Sequence, residues 1–233
     1  KMDLQTNSVI AAEALVRWRL EDGTYLPPSS FVDIFEKNRF CSKLDFYMLK
    51  KAILQIREWI DMGIEPVNIS VNQSKIVFYH ENYISELKSL LEEYNVSGSY
   101  ITLEVLESTV IEDIDMFNSI LTEVKKLGFS VSLDDFGSGY SSLNVLSKLQ
   151  IDELKIDRIF LHTKSEVDNQ RTKWILESII EIAKKSQILV VVEGVESKQD
   201  DLFIKSLGAD VGQGYFYGRP LSISAFNDLI ETK

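Results

Sequence analysis

At 233 residues and 45% hydrophobic, the chain can bury a sizeable core as one large α/β barrel or as two small domains, and no Pro/Gly/Ser linker divides it. A formal net charge of −11 argues against binding nucleic-acid polymers through a basic face, and no apolar run reaches the roughly 18 residues of a membrane span. Cys41 stands alone, which excludes an internal disulfide and suits a reducing cytoplasm, while His80 and His162 sit in polar surroundings without spaced partners, against a zinc site of His/Cys type.

Lys1 to Ile10 opens in a strand-like pattern with no initiator methionine and no visible signal peptide, as expected of a piece of a longer polypeptide. "VIAAEALVRW", Val9 to Trp18, reads as a strand with Glu13 inside it; a buried carboxylate there needs a cation or hydrogen bonds. Arg17 is placed to pair with a carboxylate or to hold a phosphate. "LEDGTYLPPSSF" is a turn-rich loop in which Ser29 or Ser30 caps a short helix to about Asn38. The spacing of Leu44, Met48, Ile53, Ile56 and Ile60 predicts a helix from Ser42 to about Met62, stopped by Gly63. "PVNISVNQS", Pro66 to Ser74, is an alternating strand with Asn72 at its C-terminal end.

A helix follows over about Tyr83 to Tyr94, and "SYITLEVLES" is a strand carrying Glu104 and Glu107. Ile111 to Leu127 returns as a helix, stopped by Gly128. "SVSLDDFGSGYSSL", Ser130 to Leu143, is an apolar strand that ends in Asp134 and Asp135 and runs into a Gly/Ser loop. Neighbouring side chains on a strand leave on opposite faces, so both aspartates fit a strand end opening onto solvent or a metal. Ser141 to Lys148 is a short helix, and "IDELKID" is a strand with Lys155 among apolar residues, costly unless it faces carboxylates or a substrate. Thr172 to Lys185 is a helix, and "QILVVVEGVES" is a continuous apolar strand ending at Glu193. A helix near Gln199 to Leu207, a last short strand with Gln213 and a Gly-rich turn, and a helix over about Ser224 to Glu231 close the chain.

Strand and helix alternate throughout, with polar groups at the strand ends: Glu13, Asn72, Glu104, Asp134, Lys155, Glu193 and Gln213. This order favours a closed (β/α)₈-type barrel, in which strand C-termini converge on one mouth. Glu13, Asn72, Glu104, Asp134, Asp135 and Glu193 are oxygen ligands suited to Mg²⁺ or Mn²⁺, with Ca²⁺ as a non-productive occupant. Their charge suits two ions about 3.5–4 Å apart, the arrangement used for phosphate ester cleavage. Each residue has a plainer reading: Glu13 as a structural acid, Asn72 as a turn former, Glu107 and Glu196 as supporting or surface groups, and the glycine pairs 137/139 and 212/214 as turns.

"EALVRW" at Glu13 to Trp18, "VNQS" at Val71 to Ser74, "EVLES" at Glu104 to Ser108, "DDFGSGYSSL" at Asp134 to Leu143, "LKID" at Leu154 to Asp157, "VEGVE" at Val192 to Glu196 and "QGYFYGRP" at Gln213 to Pro220 together resemble the EAL-domain cyclic di-GMP phosphodiesterases of bacteria. The resemblance covers essentially the whole chain and makes residues 1–233 a single EAL domain. It implies a TIM-like barrel whose first strand is antiparallel to its neighbours, and hydrolysis of cyclic di-GMP to linear pGpG with Mg²⁺ or Mn²⁺, inhibited by Ca²⁺. By the same resemblance Glu13, Asn72, Glu104 and Asp134 hold one ion, and Asp134 bridges to a second beside Asp135 and Glu193. Lys155 then holds the attacking water, Glu193 is similar to the general base, Arg17 meets a substrate phosphate and Gln213 lines the site. Phe136 to Leu143, with Gly137 and Ser138, is similar to the mobile loop that links metal binding to dimerisation, and Glu107 to its anchor. A homodimer, an upstream GGDEF, PAS or membrane-bound sensory region and a cytoplasmic location, free or as part of a membrane-anchored protein, are further implied.

Two departures are visible: Leu106 replaces the usual Thr of the third motif, and Leu20 and Glu21 stand where His-Pro often follows the first. The rival readings are an EAL-type receptor that binds cyclic di-GMP without cutting it, a partner-binding barrel, and a sugar-phosphate barrel enzyme whose phosphate loop "GQGYFYG" resembles. Receptors of this type usually lack a ligand or the catalytic glutamate, and here each is present.

Overall fold

The computed structural model describes residues 1–38, 40–107, 114–138, 143–161 and 166–231. The strands are β1 (Met2–Asp3), β2 (Ala11–Glu13), β3 (Trp18–Arg19), β4 (Tyr25–Leu26), β5 (Asn68–Gln73), β6 (Ile101–Leu106), β7 (Ser130–Phe136), β8 (Glu153–Ile156), β9 (Leu189–Val192) and β10 (Val211–Gly212). The helices are α1 (Val32–Lys37), α2 (Cys41–Asp61), α3 (Lys75–Phe78), α4 (Tyr83–Tyr94), α5 (Ile114–Lys126), α6 (Leu143–Lys148), α7 (Glu166–Lys185), α8 (Lys198–Ser206) and α9 (Ile223–Glu231).

Eight strands form one sheet in the order β1-β10-β9-β8-β7-β6-β5-β2. All neighbours are parallel except β1, which runs antiparallel to β10. The sheet's two ends meet where Met2 bridges antiparallel to Val9 and where the Ile10 amide donates to the Lys1 carbonyl at 3.0 Å. The result is the expected TIM-like barrel, nearly closed, with its first strand reversed.

Period-2 alternation sorts each strand's residues. Val71, Leu103, Val105, Val131, Leu133, Leu154, Ile156, Val190 and Val192 are fully inaccessible and join the helices in one core. The intervening residues, Ser70, Thr102, Glu104, Ser132, Asp134, Glu153 and Lys155, are also buried but polar. Two faces with opposite chemistry follow: an apolar ring beneath the helices and a polar lumen that must satisfy itself internally. Helix α2 docks through Leu49, Ala52, Ile53, Ile56 and Trp59; Ile53 and Ile56 are as the spacing predicted, while Leu49 and Trp59 are buried in place of Met48 and Ile60. Leu49, Ile53 and Ile56 are each worth about 1.5–3 kcal/mol when fully buried. Gly63 ends that helix as expected, with φ +74° and the Ile64 amide reaching back to the Trp59 carbonyl at 2.9 Å.

Local expectations needed correction in three places. The Val9 to Trp18 strand is shorter: only Ala11–Glu13 pairs in the barrel, and Trp18–Arg19 pairs instead with Tyr25–Leu26 in a separate hairpin. Neither Ser29 nor Ser30 caps α1, because both lie in a 3₁₀ turn, Pro28–Ser30, and Phe31 occupies the cap position without a side-chain bond. That position is held by packing, with Trp18, Phe31, Phe35 and Phe40 stacked at centroid distances of 4.9–5.6 Å. Helix α7 begins at Glu166, earlier than the expected Thr172. The expected starts of two other helices, at Ile111 and Ser141, and His162 lie outside the described residues. No described helix is long and apolar enough to cross a membrane.

Candidate metal centre at the barrel mouth

Lys155 is 1% exposed, and its Nζ lies 2.9 Å from Glu104, 3.0 Å from Asp134, 2.9 Å from Glu193 and 3.6 Å from Glu13. These acids come from β6, β7, the end of β9 and β2, so four strands deliver carboxylates to one ammonium at the strand C-termini. Burial pushes the ammonium's proton off, but Glu104, Glu13, Asp134 and Glu193 together outweigh it and hold the pKa well above the ordinary lysine value.

One cation does not serve four acids equally. Burial disfavours the Glu104 charge, yet Lys155 on one oxygen and Lys1 on the other, each at 2.9 Å, bring its pKa down to about 2. Glu193 and Asp134 have only their share of Lys155, so burial pushes them up to about 7 and about 6. Glu13 is held by two amides: Asn72 Nδ2 donates to its Oε1 at 3.0 Å and Gln213 Nε2 to its Oε2 at 2.6 Å. Gln213 Oε1 is buried with no hydrogen-bond partner among the described residues.

Strand geometry alone would send Asp134 and Asp135 to opposite faces, but the β7–β8 register shifts between Leu133 and Phe136, and Asp135 has φ +57°. This bulge turns Asp135 back toward its neighbour's side. Ligand oxygens of Asp134, Asp135 and Glu193 consequently lie within 4.8 Å of one another. Burial, then Asp157, raises the Asp135 pKa. Three carboxylates that close are mutually repulsive without a cation, and an all-oxygen donor set fits a hard divalent ion.

The bend continues through Gly137 at φ +101°, where an added Cβ would overlap the Phe160 ring. Gly137→Ala is therefore expected to destabilise the domain by about 1–3 kcal/mol, read from urea unfolding; an unchanged midpoint would mean that the bend is not enforced. Ser138 folds back onto the Asp135 carbonyl through its amide at 3.1 Å and hydroxyl at 2.8 Å. Residues 139–142 lie outside the described residues.

Arg17 is exposed and donates to the Val16 carbonyl at 2.8 Å; no ion pair to a carboxylate is found for it among the described residues. Glu107 is buried just past β6, whereas Glu196 is exposed and its amide joins the Ser197/Asp200 capping box of α8. His80 is on the surface, 3.5 Å from Glu86. The sequence reading overlooked Lys1 and Glu153, whose side chains meet at 2.6 Å below the mouth. Glu153 was detectable, since it precedes Lys155 by two on one strand and shares its face. Lys1 was not, because its partners are 69 to 152 residues away.

A nearly closed, mostly parallel barrel with an acid-ringed lysine at its mouth, where three of the carboxylates could hold a hard cation, defines the class of fold and site. Within that class, the chain belongs to the EAL-domain family, which it matches over residues 1–220. It is 34% identical over 227 residues to the cyclic di-GMP phosphodiesterase NbdA and 33% identical over 213 residues to the bifunctional diguanylate cyclase/cyclic di-GMP phosphodiesterase MucR, both of Pseudomonas aeruginosa. Those alignments take in 97% and 91% of this chain but 29% and 31% of the relatives, so the chain spans about a third of the length of the curated relatives it matches. A solved structure of the PaMucR phosphodiesterase in complex with c-di-GMP superposes with a TM-score of 0.88 at 32% identity, covering 97% of this chain and 90% of that one.

Proposed function

We propose that this domain hydrolyses cyclic di-GMP to linear pGpG, using two divalent cations held at the barrel mouth. The observation that carries the reading is the convergence of Glu13, Glu104, Asp134 and Glu193 on Lys155, with Asp135 joining Asp134 and Glu193 within 4.8 Å. Glu13, Asn72, Glu104 and Asp134 would hold one ion, and Asp134, Asp135 and Glu193 the other. Mg²⁺ or Mn²⁺, when bound, would neutralise phosphate oxygens and acidify a water at neutral pH.

The chain's own groups supply the rest. Lys155 keeps its proton, and with cations on Asp134 and Glu193 an N–H released from those acids would position a water. Glu193, whose carboxylate lies 2.9 Å from the Lys155 ammonium, is placed to accept that water's proton. Gln213 fixes Glu13 and lines the cavity, while exposed Arg17 presents a guanidinium to a phosphate. Water would add to phosphorus with its proton passing to Glu193, while the ester bond to O3′ breaks and that oxygen takes a proton from solvent. Ca²⁺, larger and looser in its geometry, would occupy the acids without fixing the water, and so inhibit. Residues 1–233 would act as one domain of a longer, homodimeric cytoplasmic or membrane-anchored protein with an upstream sensory or GGDEF region. In that setting the Phe136 to Leu143 loop, anchored by Glu107, would couple the metals to the dimer.

The test is chromatography of cyclic di-GMP incubated with the purified chain in Mg²⁺, Mn²⁺, Ca²⁺ or chelator. Product is expected with Mg²⁺ and Mn²⁺ alone, and Glu13→Ala should cut the rate by more than about 100-fold, beyond what outer partners of a metal site cost. Nucleotide bound but intact under every metal would replace hydrolysis with a receptor role.

A further inference from the structure

Beneath the mouth lies a second buried cation, Lys1, that the proposed chemistry does not use. Lys1 is tied to the barrel wall by its backbone: its nitrogen donates to the Ala11 carbonyl at 2.7 Å, and its carbonyl accepts from the Ile10 amide at 3.0 Å. Its side chain, 1% exposed, runs into the lumen. There Nζ meets Ser70 Oγ at 2.6 Å, Glu153 Oε1 at 2.6 Å and Glu104 Oε1 at 2.9 Å. An ammonium has three N–H donors, and these three acceptors use them all.

We infer that Lys1, held in place by Glu153 and Ser70, is a positioning residue that fixes the Glu104 carboxylate for cation binding at the mouth. The inference rests on the metal-site reading proposed above and extends it one layer down. Glu104 Oε1 goes to Lys1 and Oε2 to Lys155, so the carboxylate is clamped between two cations from separate parts of the barrel wall. A single ammonium would leave it free to rotate about its last torsion. Lys1 also offsets charge: it balances Glu153, leaving Lys155 to the acids of the mouth.

A purely structural role makes a different prediction. Buried ion pairs contribute weakly to stability, and replacing both partners by apolar residues of similar volume is often neutral or stabilising. If Lys1 and Glu153 serve only each other, Lys1→Met/Glu153→Leu should restore everything that Lys1→Met loses. If Lys1 positions Glu104, the double variant should regain stability but not cation affinity.

The experiment is Mn²⁺ titration of the purified chain, by calorimetry and by the electron paramagnetic resonance of free Mn²⁺, with melting temperature measured on the same samples. Wild type, Lys1→Met, the double variant and Glu104→Gln are compared. The double variant is expected to melt at or above wild type and to bind Mn²⁺ about 10–100-fold more weakly, the usual cost of losing a partner that orients a ligand. Wild-type melting with wild-type affinity would overturn the positioning role while leaving the metal-site reading intact. A wild-type protein that binds no Mn²⁺ would overturn both, and it is recognised at once because wild type is titrated alongside. Should the double variant fail to fold, Lys1→Gln, which keeps an N–H donor without the charge, decides: weaker Mn²⁺ binding supports the inference and unchanged binding overturns it.

Discussion

Lys155→Met should lower the stability of the metal-free domain by about 3–5 kcal/mol, the range for stripping one partner from a buried ion pair, and should end turnover. Four carboxylates lie within 3.6 Å of its Nζ, and Lys155 is the only cation paired with three of them among the described residues. Methionine fills the volume and isolates the charge as the variable. Urea unfolding in chelator reads the loss, and added Mn²⁺ should return part of it, because a divalent cation relieves the same repulsion. Turnover should not return, since no N–H remains to hold a water. A metal-free stability within about 0.5 kcal/mol of wild type, the range for an ordinary surface substitution, would mean that the acids do not depend on this lysine.

Glu193→Gln separates chemistry from stability. The amide keeps the shape but cannot accept a proton, so kcat should fall by about 10²–10⁴-fold, the usual contribution of a general base. Stability should move the other way. Burial raises Glu193 from 4.5 to about 7, so the folded state binds this proton more tightly than the unfolded chain. Its contribution is complete below 4.5 and is lost as pH rises through about 7. Asp134 adds a loss of the same sign, between 3.8 and about 6. Glu104 behaves oppositely: its stabilisation is present above 4.5 and is lost as pH falls from 4.5 toward about 2, so it contributes no slope from weakly acid to neutral pH. The metal-free wild type should thus lose stability from weakly acid to neutral pH, and Glu193→Gln should flatten that slope. Denaturant midpoints measured across the window decide, and a variant with the wild-type slope would place the titrating proton elsewhere.

Much of this was legible in the chain because barrel strands repeat with period 2 and end in their functional residues. Lys155 between Leu154 and Ile156 announced a buried cation, and the acids it needed were the ones already placed at other strand ends. The convergence itself was predictable only through the alternation of strand and helix, which sends every strand end to one mouth. What escaped the reading has local physical causes. Asp134 and Asp135 share a face because of a bulge and a positive φ at a non-glycine residue, features set by pairing with β8 rather than by β7's own residues. The reversed β1 came from family resemblance, since two strand residues carry no periodicity. The serine cap on α1 failed because an aromatic cluster, in which Trp18 of β3 meets Phe31 at the start of α1 and Phe35 within it, holds that turn.

The most direct test of the central claim is the mass of the product. The purified chain is mixed with an equal amount of cyclic di-GMP and excess Mn²⁺ in ¹⁸O-labelled water for a single turnover, then analysed by mass spectrometry. The proposed chemistry predicts linear pGpG carrying one ¹⁸O on its terminal phosphate, and none from Glu193→Gln over the same interval. Unlabelled cyclic di-GMP recovered intact from the wild-type protein, with Mn²⁺ bound, would contradict it.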